Sequence, residues 1–238
     1  MKPRTIKQKA TKLLAVLSLI ALSPIASADQ AAEKILSRAR FNATLQSHDL
    51  HGQMKKNGAK TPVSLFLRGK NIQFLHKEKG KDKRFHMRLS DDKFDLFDIV
   101  GGKTTRFNDK KLNQRINNTD MSFEDLSMRF LYWKNSKVVG KEKVNGQKCD
   151  KIRLINPGKA GDYKIVYAWV HEKYGALMKV VGYNAAGHPL KQFQVTDLMR
   201  VGREYTLKRM RVDTYNPKTN KSIGVTYLEF QKPKKIAK

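Results

Sequence analysis

Hydrophobic and polar residues follow two different periods along this chain. Between residues 30 and 46, alanine, isoleucine and leucine recur at every third or fourth position, which predicts an amphipathic helix. From Leu50 onwards the period is two, and turn residues such as Asn145-Gly146, the strongest short-range signal for a β-hairpin, separate the runs. The pattern predicts about ten or eleven strands and two helices, one at the start and one in the middle.

The order of these elements indicates the class of fold. Strands do not alternate with helices, so the sequence lacks the βαβ units of a parallel sheet, and the strands should form one antiparallel sheet. A sheet of this length tends to curl and must bury one of its faces. We therefore expect a mainly β protein with a few helices and a single domain over residues 29–231.

The predicted middle helix interrupts the strands with an aromatic-rich segment, SFEDLSMRFLYW, at residues 122–133. Ser122 and Asp125 have the spacing of a capping box, in which each side chain accepts a hydrogen bond from the other residue's backbone N–H. One face of the helix would carry four apolar side chains that are candidates for covering the sheet: Phe123, Leu126, Phe130 and Trp133.

The predicted strand over residues 163–170 has apolar side chains on both faces, which is more apolar surface than one buried face requires. The space between the sheet and its helices is either a filled core or an apolar cavity, and periodicity leaves both open. In a cavity, one face of this strand would supply candidate ligand contacts: Tyr163, Ile165, Tyr167 and Trp169. The other face would carry Val166, Ala168 and Val170.

The N-terminal residues predict export. Residues 1–12 carry five positive charges and no acid, an apolar run extends from Leu13 to Leu22, and Ala26-Ser27-Ala28 has the small residues of a cleavage site. The run is shorter than the ~20 residues needed to span a bilayer. A cleaved signal peptide over residues 1–28 is therefore favoured over an uncleaved anchor, and we expect a periplasmic protein that ends in a basic tail, residues 232–238.

Charge changes the list of expected partners. The chain has 49 lysine and arginine residues against 21 aspartate and glutamate residues, and it keeps a net charge of +23 without the five basic residues of the leader. Inside a cell such a surplus would indicate nucleic-acid binding. For an exported protein the expected anions are lipid head groups and acidic polymers, unless the charge is only solvated surface. Nucleic acid is not an expected partner.

Candidate catalytic groups are poorly placed in the sequence. The six histidines are scattered, and Cys149, the single cysteine, has no nucleophile motif around it and no partner for an intramolecular disulfide. Asp91, Asp92, Asp95 and Asp98 do not have the spacing of a calcium loop. We expect no enzyme activity, no metal site and no cofactor.

Four blocks of the chain resemble a known family, the outer-membrane lipoprotein-sorting proteins, and within it a LolA-like branch. The blocks are residues 122–133, 139–154, 163–183 and 205–229. The resemblance covers most of the chain after the leader. It rests on patterned blocks and not on a catalytic signature, so it identifies a fold better than a mechanism.

This resemblance implies an architecture and a function. The sheet should be an unclosed, strongly curved half-barrel, with helices acting as a lid over an apolar cavity on its concave face. Residues 122–133 would be part of this lid, and the candidate ligand contacts on it are Phe123, Leu126, Phe130 and Trp133. The implied function is that of a periplasmic carrier for the acyl chains of lipoproteins or related lipids. An inner-membrane release complex and an outer-membrane acceptor would be its partners, and basic residues would suit anionic head groups. The alternative is an envelope sensor or scaffold that has the same fold and docks through its basic surface.

Overall fold

The computed structural model describes residues 29–202 and 204–233. The predicted signal peptide, residues 1–28, lies outside these ranges, as does most of the predicted tail. Helix α1 spans Gln30–Thr44 and begins at Asp29, whose carboxylate accepts a hydrogen bond of 2.9 Å from the backbone N–H of Ala31. The first predicted helix is therefore confirmed, and it ends two residues before the end of its pattern.

The described residues are mainly β. Their thirteen strands form a single antiparallel sheet that is not closed into a barrel. In chain order they are β1 Asp49–Lys56, β2 Ala59–Arg68, β3 Asn71–Glu78, β4 Lys81–Leu89, β5 Phe94–Val100, β6 Lys103–Arg106, β7 Asn135–Val144, β8 Gln147–Ile155, β9 Ile165–His171, β10 Leu177–Tyr183, β11 Pro189–Val201, β12 Glu204–Tyr215 and β13 Ser222–Phe230. The predicted fold class is confirmed.

Two meanders make up the sheet. Strands β1 to β6 pair in chain order, as do β7 to β13, and the two groups join where β1 pairs with β13. For example, Met54 lies opposite Leu228 across that junction. This order places β6 at one edge of the sheet and β7, the next strand in the chain, at the opposite edge.

The two strands beyond the predicted number are β1 and β6, because the alternation that starts at Leu50 gives β1 only two apolar side chains and β6 has none. In β1 only Leu50 and Met54 are fully buried, and Gly52 between them lies so close to β13 that a Cβ atom would come within 1.9 Å of the carbonyl oxygen of Glu229. Every residue of β6 is exposed. Their places in the sheet depend on pairing with distant or neighbouring strands, which hydrophobic alternation does not report.

The prediction of one continuous helix over residues 122–133 is wrong in its extent. Helix α2 covers only Phe123–Ser127, and a 3-10 turn follows at Arg129–Tyr132. The chain turns at Met128, which adopts the left-handed conformation (φ 44°) in which helices end. The capping box is confirmed: Ser122 Oγ accepts from the backbone N–H of Asp125 at 3.3 Å, and the Asp125 carboxylate accepts from the N–H of Ser122 at 2.7 Å.

One face of the sheet, the concave face, builds the main hydrophobic core. Along β9, Val166, Ala168 and Val170 are completely buried there. They belong to the same cluster as Leu36 of α1 and Phe130 of the chain between β6 and β7. The core therefore lies between the sheet and the two segments that cover it.

Tyr163, in the connection between β8 and β9, packs closely on the sheet. Its ring lies against Gly182 of β10, where a Cβ atom would be 2.4 Å from a ring carbon. Its hydroxyl donates a hydrogen bond of 2.5 Å to the Asp125 carboxylate, and the side chain is buried. Only glycine leaves room for a ring at this point of the strand.

We expect Gly182→Ala to destabilise the protein by about 1–3 kcal/mol, because the added methyl group would force Tyr163 out of its position. The matched control is Gly158→Ala, where the nearest atom to the new methyl group would be 3.7 Å away. Urea unfolding of both variants measures the difference. Equal stability of the two variants would show that the close contact between the Tyr163 ring and Gly182 does not contribute to stability.

Candidate functional site: the covered concave face

The chain between β6 and β7, residues 107–134, is called the crossing segment because it passes over the concave face from one edge of the sheet to the other. It contains α2 and the 3-10 turn. Near the β4 side its Phe123 ring lies 5.4 Å from the ring of Phe85 and 5.2 Å from that of Phe107. Aromatic contacts of this kind bury large apolar areas, so the segment packs directly on the sheet.

The backbone of the crossing segment is hydrogen-bonded mainly to itself. Its loop is held by backbone bonds within the segment that join Gln114 with Phe123, Leu112 with Glu124 and Ile116 with Met121. Among the described residues, its backbone-to-backbone bonds toward the strands lie at its two ends, at Phe107 and Lys134. The segment is therefore a self-contained cover, attached to the sheet by side chains.

One attachment is made by the buried carboxylate of Asp120. It receives hydrogen bonds from Lys56 of β1 at 2.7 Å and from the hydroxyl of Thr226 of β13 at 2.9 Å. The same hydroxyl accepts from the backbone N–H of Asp120 at 2.9 Å. These contacts fix the crossing segment above the junction of the two meanders.

A second attachment is made by Asp125 of α2. Its fully buried carboxylate accepts hydrogen bonds from Lys191 of β11 and from the Tyr163 hydroxyl, both at 2.5 Å. Lys191 is itself largely buried. A buried ion pair with additional hydrogen bonds fixes geometry more than it adds stability, and removal of one partner leaves an uncompensated charge.

Glu124, the neighbour of Asp125, is buried beside the loop that precedes β9. One carboxylate oxygen accepts a hydrogen bond of 2.8 Å from the backbone N–H of Asp162, and the other has no partner among the described residues. Burial disfavours the charged form and raises the pKa of this carboxyl to about 7. Glu124 is therefore the acid of the cover whose charge changes near neutral pH.

At the β3 side of the cover, His76 and Phe123 line a small cavity of about 50 Å³. The two rings lie 6.1 Å apart, and Nδ1 of His76 has no hydrogen-bond partner among the described residues. Burial lowers the pKa of the His76 imidazole, so the neutral form is favoured in the folded protein.

Helix α1 holds the far end of the crossing segment through Arg40. Its guanidinium donates a hydrogen bond of 2.7 Å to the backbone carbonyl of Leu131, pairs with Glu33 and lies 5.3 Å from the centre of the Tyr132 ring. Arg40 is buried although it is charged. Sequence reasoning did not find this residue, although its position four residues after Leu36 on the apolar side of α1 is a usable signal.

The structure separates the predicted site residues into two groups. Phe123, Leu126, Phe130, Trp133 and Tyr163 are all buried in the main core beneath the cover. Three others lie on the opposite, convex face, where they line a cavity of about 510 Å³: Ile165, Tyr167 and Trp169. The prediction that Tyr163 shares a face with the other three residues is wrong. Strand β9 begins only at Ile165, and Tyr163, which precedes it, packs on β10.

The space beneath the cover is occupied by side chains. Phe130 is only 2% exposed and contacts Trp133 edge-to-face at 6.5 Å. The apolar residues of the cover and of the sheet form a single cluster. A ligand on the concave face would therefore have to displace the cover.

No group of three or more histidine, cysteine, aspartate or glutamate residues within residues 29–202 and 204–233 could hold a metal ion. In the same ranges, no helix has the length and apolar character needed to cross a membrane.

The fold has close counterparts among solved structures. A DUF1329 family protein from Desulfovibrio piger has a TM-score of 0.64 at 14% identity, over 87% of this chain and 94% of that one. A domain from Vibrio parahaemolyticus described as outer-membrane lipoprotein-sorting has 0.64 at 17% identity, over 84% and 91%. A LolA superfamily protein from Nitrosomonas europaea has 0.60 at 15% identity, over 87% and 94%. These likenesses show the fold of the chain: it shares the fold of these proteins, which confirms the predicted resemblance at the level of fold.

A family model described as "-like: Uncharacterized protein" matches residues 69–236, which is more than half of the chain, and the chain belongs to that family. No curated protein matches the chain in sequence.

We expect Asp125→Asn to destabilise the protein by about 3–5 kcal/mol, because it leaves the Lys191 ammonium buried without its partner. Adding Lys191→Met to this variant should restore part of the loss, since the unpaired charge is then removed. Asp91→Asn, in an exposed pair with Lys70, is the control and should change stability by less than about 1 kcal/mol. Urea unfolding of the full double-mutant cycle measures the coupling, and additive single effects would contradict it.

We expect Glu124→Gln to change how stability depends on pH. The pKa of Glu124 is raised in the folded state from 4.5 to about 7, so its ionisation costs stability as pH rises through this range. The glutamine variant lacks this loss and should gain about 2–3 kcal/mol relative to the native protein between pH 5 and pH 8. Glu172, whose pKa is lowered by its hydrogen bond with Lys141, is the control. Glu172→Gln should run parallel to the native protein between pH 5 and pH 8 and should differ from it, with the opposite sign, only below about pH 4.5. A parallel pH dependence in native protein and Glu124→Gln would contradict the assignment.

Proposed function

We propose that this protein is a non-catalytic periplasmic carrier that binds acyl chains of lipoproteins or related lipids on the concave face of the sheet. The observation that carries the proposal is the construction of the cover. It is apolar beneath, hydrogen-bonded within itself and attached to the sheet by a few side chains. Such a segment can move away as a unit without breaking strand pairing, and it then exposes an apolar face.

Displacement of the cover would be offset by burial of the ligand. Each methylene group of an acyl chain contributes about 0.8 kcal/mol when it leaves water, so one chain can replace many contacts of the cover. Phe123, Leu126, Phe130, Trp133 and Tyr163 are the residues that we propose contact the chain. Ile165, Tyr167 and Trp169 lie on the other face and have no part in this site.

The predicted leader supports a periplasmic location, and the solved structures of the same fold include a lipoprotein-sorting domain. In this role, the protein would receive cargo from an inner-membrane release complex and pass it to an outer-membrane acceptor. Its positive charge would suit the anionic head groups of either membrane.

A second function is favoured by the filled space beneath the cover. A protein that keeps its cover closed would be an envelope sensor or scaffold, and it would dock on anionic lipids or polymers through its basic surface. Binding to vesicles would then fall steeply with salt and ignore acyl-chain length. Carrier binding should instead strengthen with chain length and resist salt.

Two measurements test the carrier function. Native mass spectrometry of protein purified from cell envelopes should show bound lipid or lipoprotein. Titration with fatty acids of increasing chain length at two ionic strengths should show tighter binding for longer chains. Absence of cargo in the first and of chain-length dependence in the second would contradict a carrier.

We expect Arg40→Met to lower the apparent Kd of a fluorescent fatty acid by about tenfold, because the loss of the bond to Leu131 raises the population of protein with an open cover. Arg38→Met, on the exposed side of the same helix, is the matched control and should bind as the native protein does. Titration by fluorescence measures both. Identical affinities of the two variants would show that Arg40 does not hold the cover closed.

A further inference from the structure

We propose that the convex face carries a second binding site, which takes an anionic sugar: a sugar ring that bears a phosphate or carboxylate group. The site is the cavity of about 510 Å³ whose walls include Tyr167, Trp169 and Tyr183. Its volume lies within the range of about 300–1,000 Å³ that is typical of small-molecule sites. It is distinct from the covered concave face, and its occupation requires no movement of the cover.

The floor of this cavity is a separate hydrophobic cluster. Trp169 packs there with the fully buried Cys149 and with other buried side chains, Val144, Met178 and Val181. Along β9 these contacts are on the side opposite to Val166 and Ala168, which face the main core. The aromatic residues of the cavity therefore pack against a buried cluster, which fixes their positions.

The aromatic rings that line the cavity contact one another, and two of them carry free hydroxyl groups. Tyr167 lies 5.6 Å from Tyr183 in an edge-to-face arrangement and 6.5 Å from Trp169. Among the described residues, the hydroxyl groups of Tyr167 and Tyr183 make no hydrogen bond. Each can therefore donate to and accept from the hydroxyl groups of a ligand.

Positive charge surrounds these rings. Lys151, Trp169 and Lys179 lie directly opposite one another on β8, β9 and β10, and the two ammonium groups are 5.0 and 4.7 Å from the centre of the Trp169 ring. The carboxylate of Glu142 accepts hydrogen bonds from Lys151 at 2.7 Å and from the indole N–H of Trp169 at 2.8 Å. Glu142 thus pairs with Lys151 and fixes the indole. Its pKa is lowered chiefly by the hydrogen bond from Lys151, with a smaller contribution from the charge of Lys179.

Two cations near the cavity form no ion pair with a carboxylate. Within the described residues, neither Lys179 nor Arg153, which lies opposite Tyr167, takes part in an ion pair. Among the described residues that line the cavity, Lys151 is the one cation and none is an acid. Lys179 and Arg153 stand beside the cavity, opposite Trp169 and Tyr167 in the strand register. An anion would therefore gain a charge-assisted contact that the protein itself does not supply.

These features together select the chemistry of the ligand. The C–H face of a sugar ring can lie flat against the Tyr183 ring, whereas lysine ammonium groups lie over the Tyr167 and Trp169 rings. The hydroxyl groups of the sugar match the free tyrosine hydroxyls, and its acid group would point to Lys179 and Arg153 beside the cavity. An acyl chain would leave the hydroxyls and cations unused. A bare inorganic anion would make no use of the aromatic walls.

The test is isothermal titration of the full protein with four compounds: glucose 6-phosphate, glucuronate, glucose and inorganic phosphate. Both anionic sugars should bind at least about tenfold more tightly than glucose or phosphate. Lys179→Gln should remove this preference and leave glucose unchanged, whereas Tyr183→Ala should weaken all three sugars. Lys60→Gln, an exposed lysine on β2, is the control and should change nothing.

Three results would overturn the proposal: no binding of either anionic sugar in the millimolar range, phosphate that binds as tightly as the sugars, or an equal effect of Lys60→Gln and Lys179→Gln. Arg40→Met should leave sugar binding unaltered, because the site does not depend on the cover. A result on this face is therefore separable from the outcome for acyl-chain binding.

Discussion

The pairing of β1 with β13 is the constraint on which the rest of the structure depends. It joins two meanders side by side and thereby sends β6 and β7, which are consecutive in the chain, to opposite edges of the sheet. The connection between them must cross a whole face. Because that face is apolar, the crossing segment becomes its cover, and the site beneath the cover is a direct consequence of strand order.

The attachments of the cover differ in kind from the contacts of the sheet. Asp120 and Asp125 place buried carboxylates opposite Lys56 and Lys191, and Arg40 places a buried guanidinium against a carbonyl. Such contacts specify one position, since a shifted cover would leave charges unpaired. In the proposed carrier role, these side chains are the contacts that must break for the cover to move.

The two faces of the sheet have different chemistry because of what lies against them. The concave face meets the apolar side of the cover and excludes water, so its neighbours Glu124 and His76 have shifted pKa values. The convex face meets solvent, and aromatic residues there are interleaved with lysine and arginine. The two proposed ligands, an acyl chain and an anionic sugar, correspond to this difference between the faces.

The sequence by itself determined what is local. Alternation predicted the antiparallel sheet, and the spacing of Ser122 and Asp125 predicted the capping box, because both depend on neighbours in the chain. Only the tertiary structure decided which strands pair, and hence the places of β1 and β6, which have little alternation. It also decided that Trp169 faces away from Phe130 and that Arg40 contacts Leu131. A period of two says which side chains share a face, but only long-range packing says what covers that face.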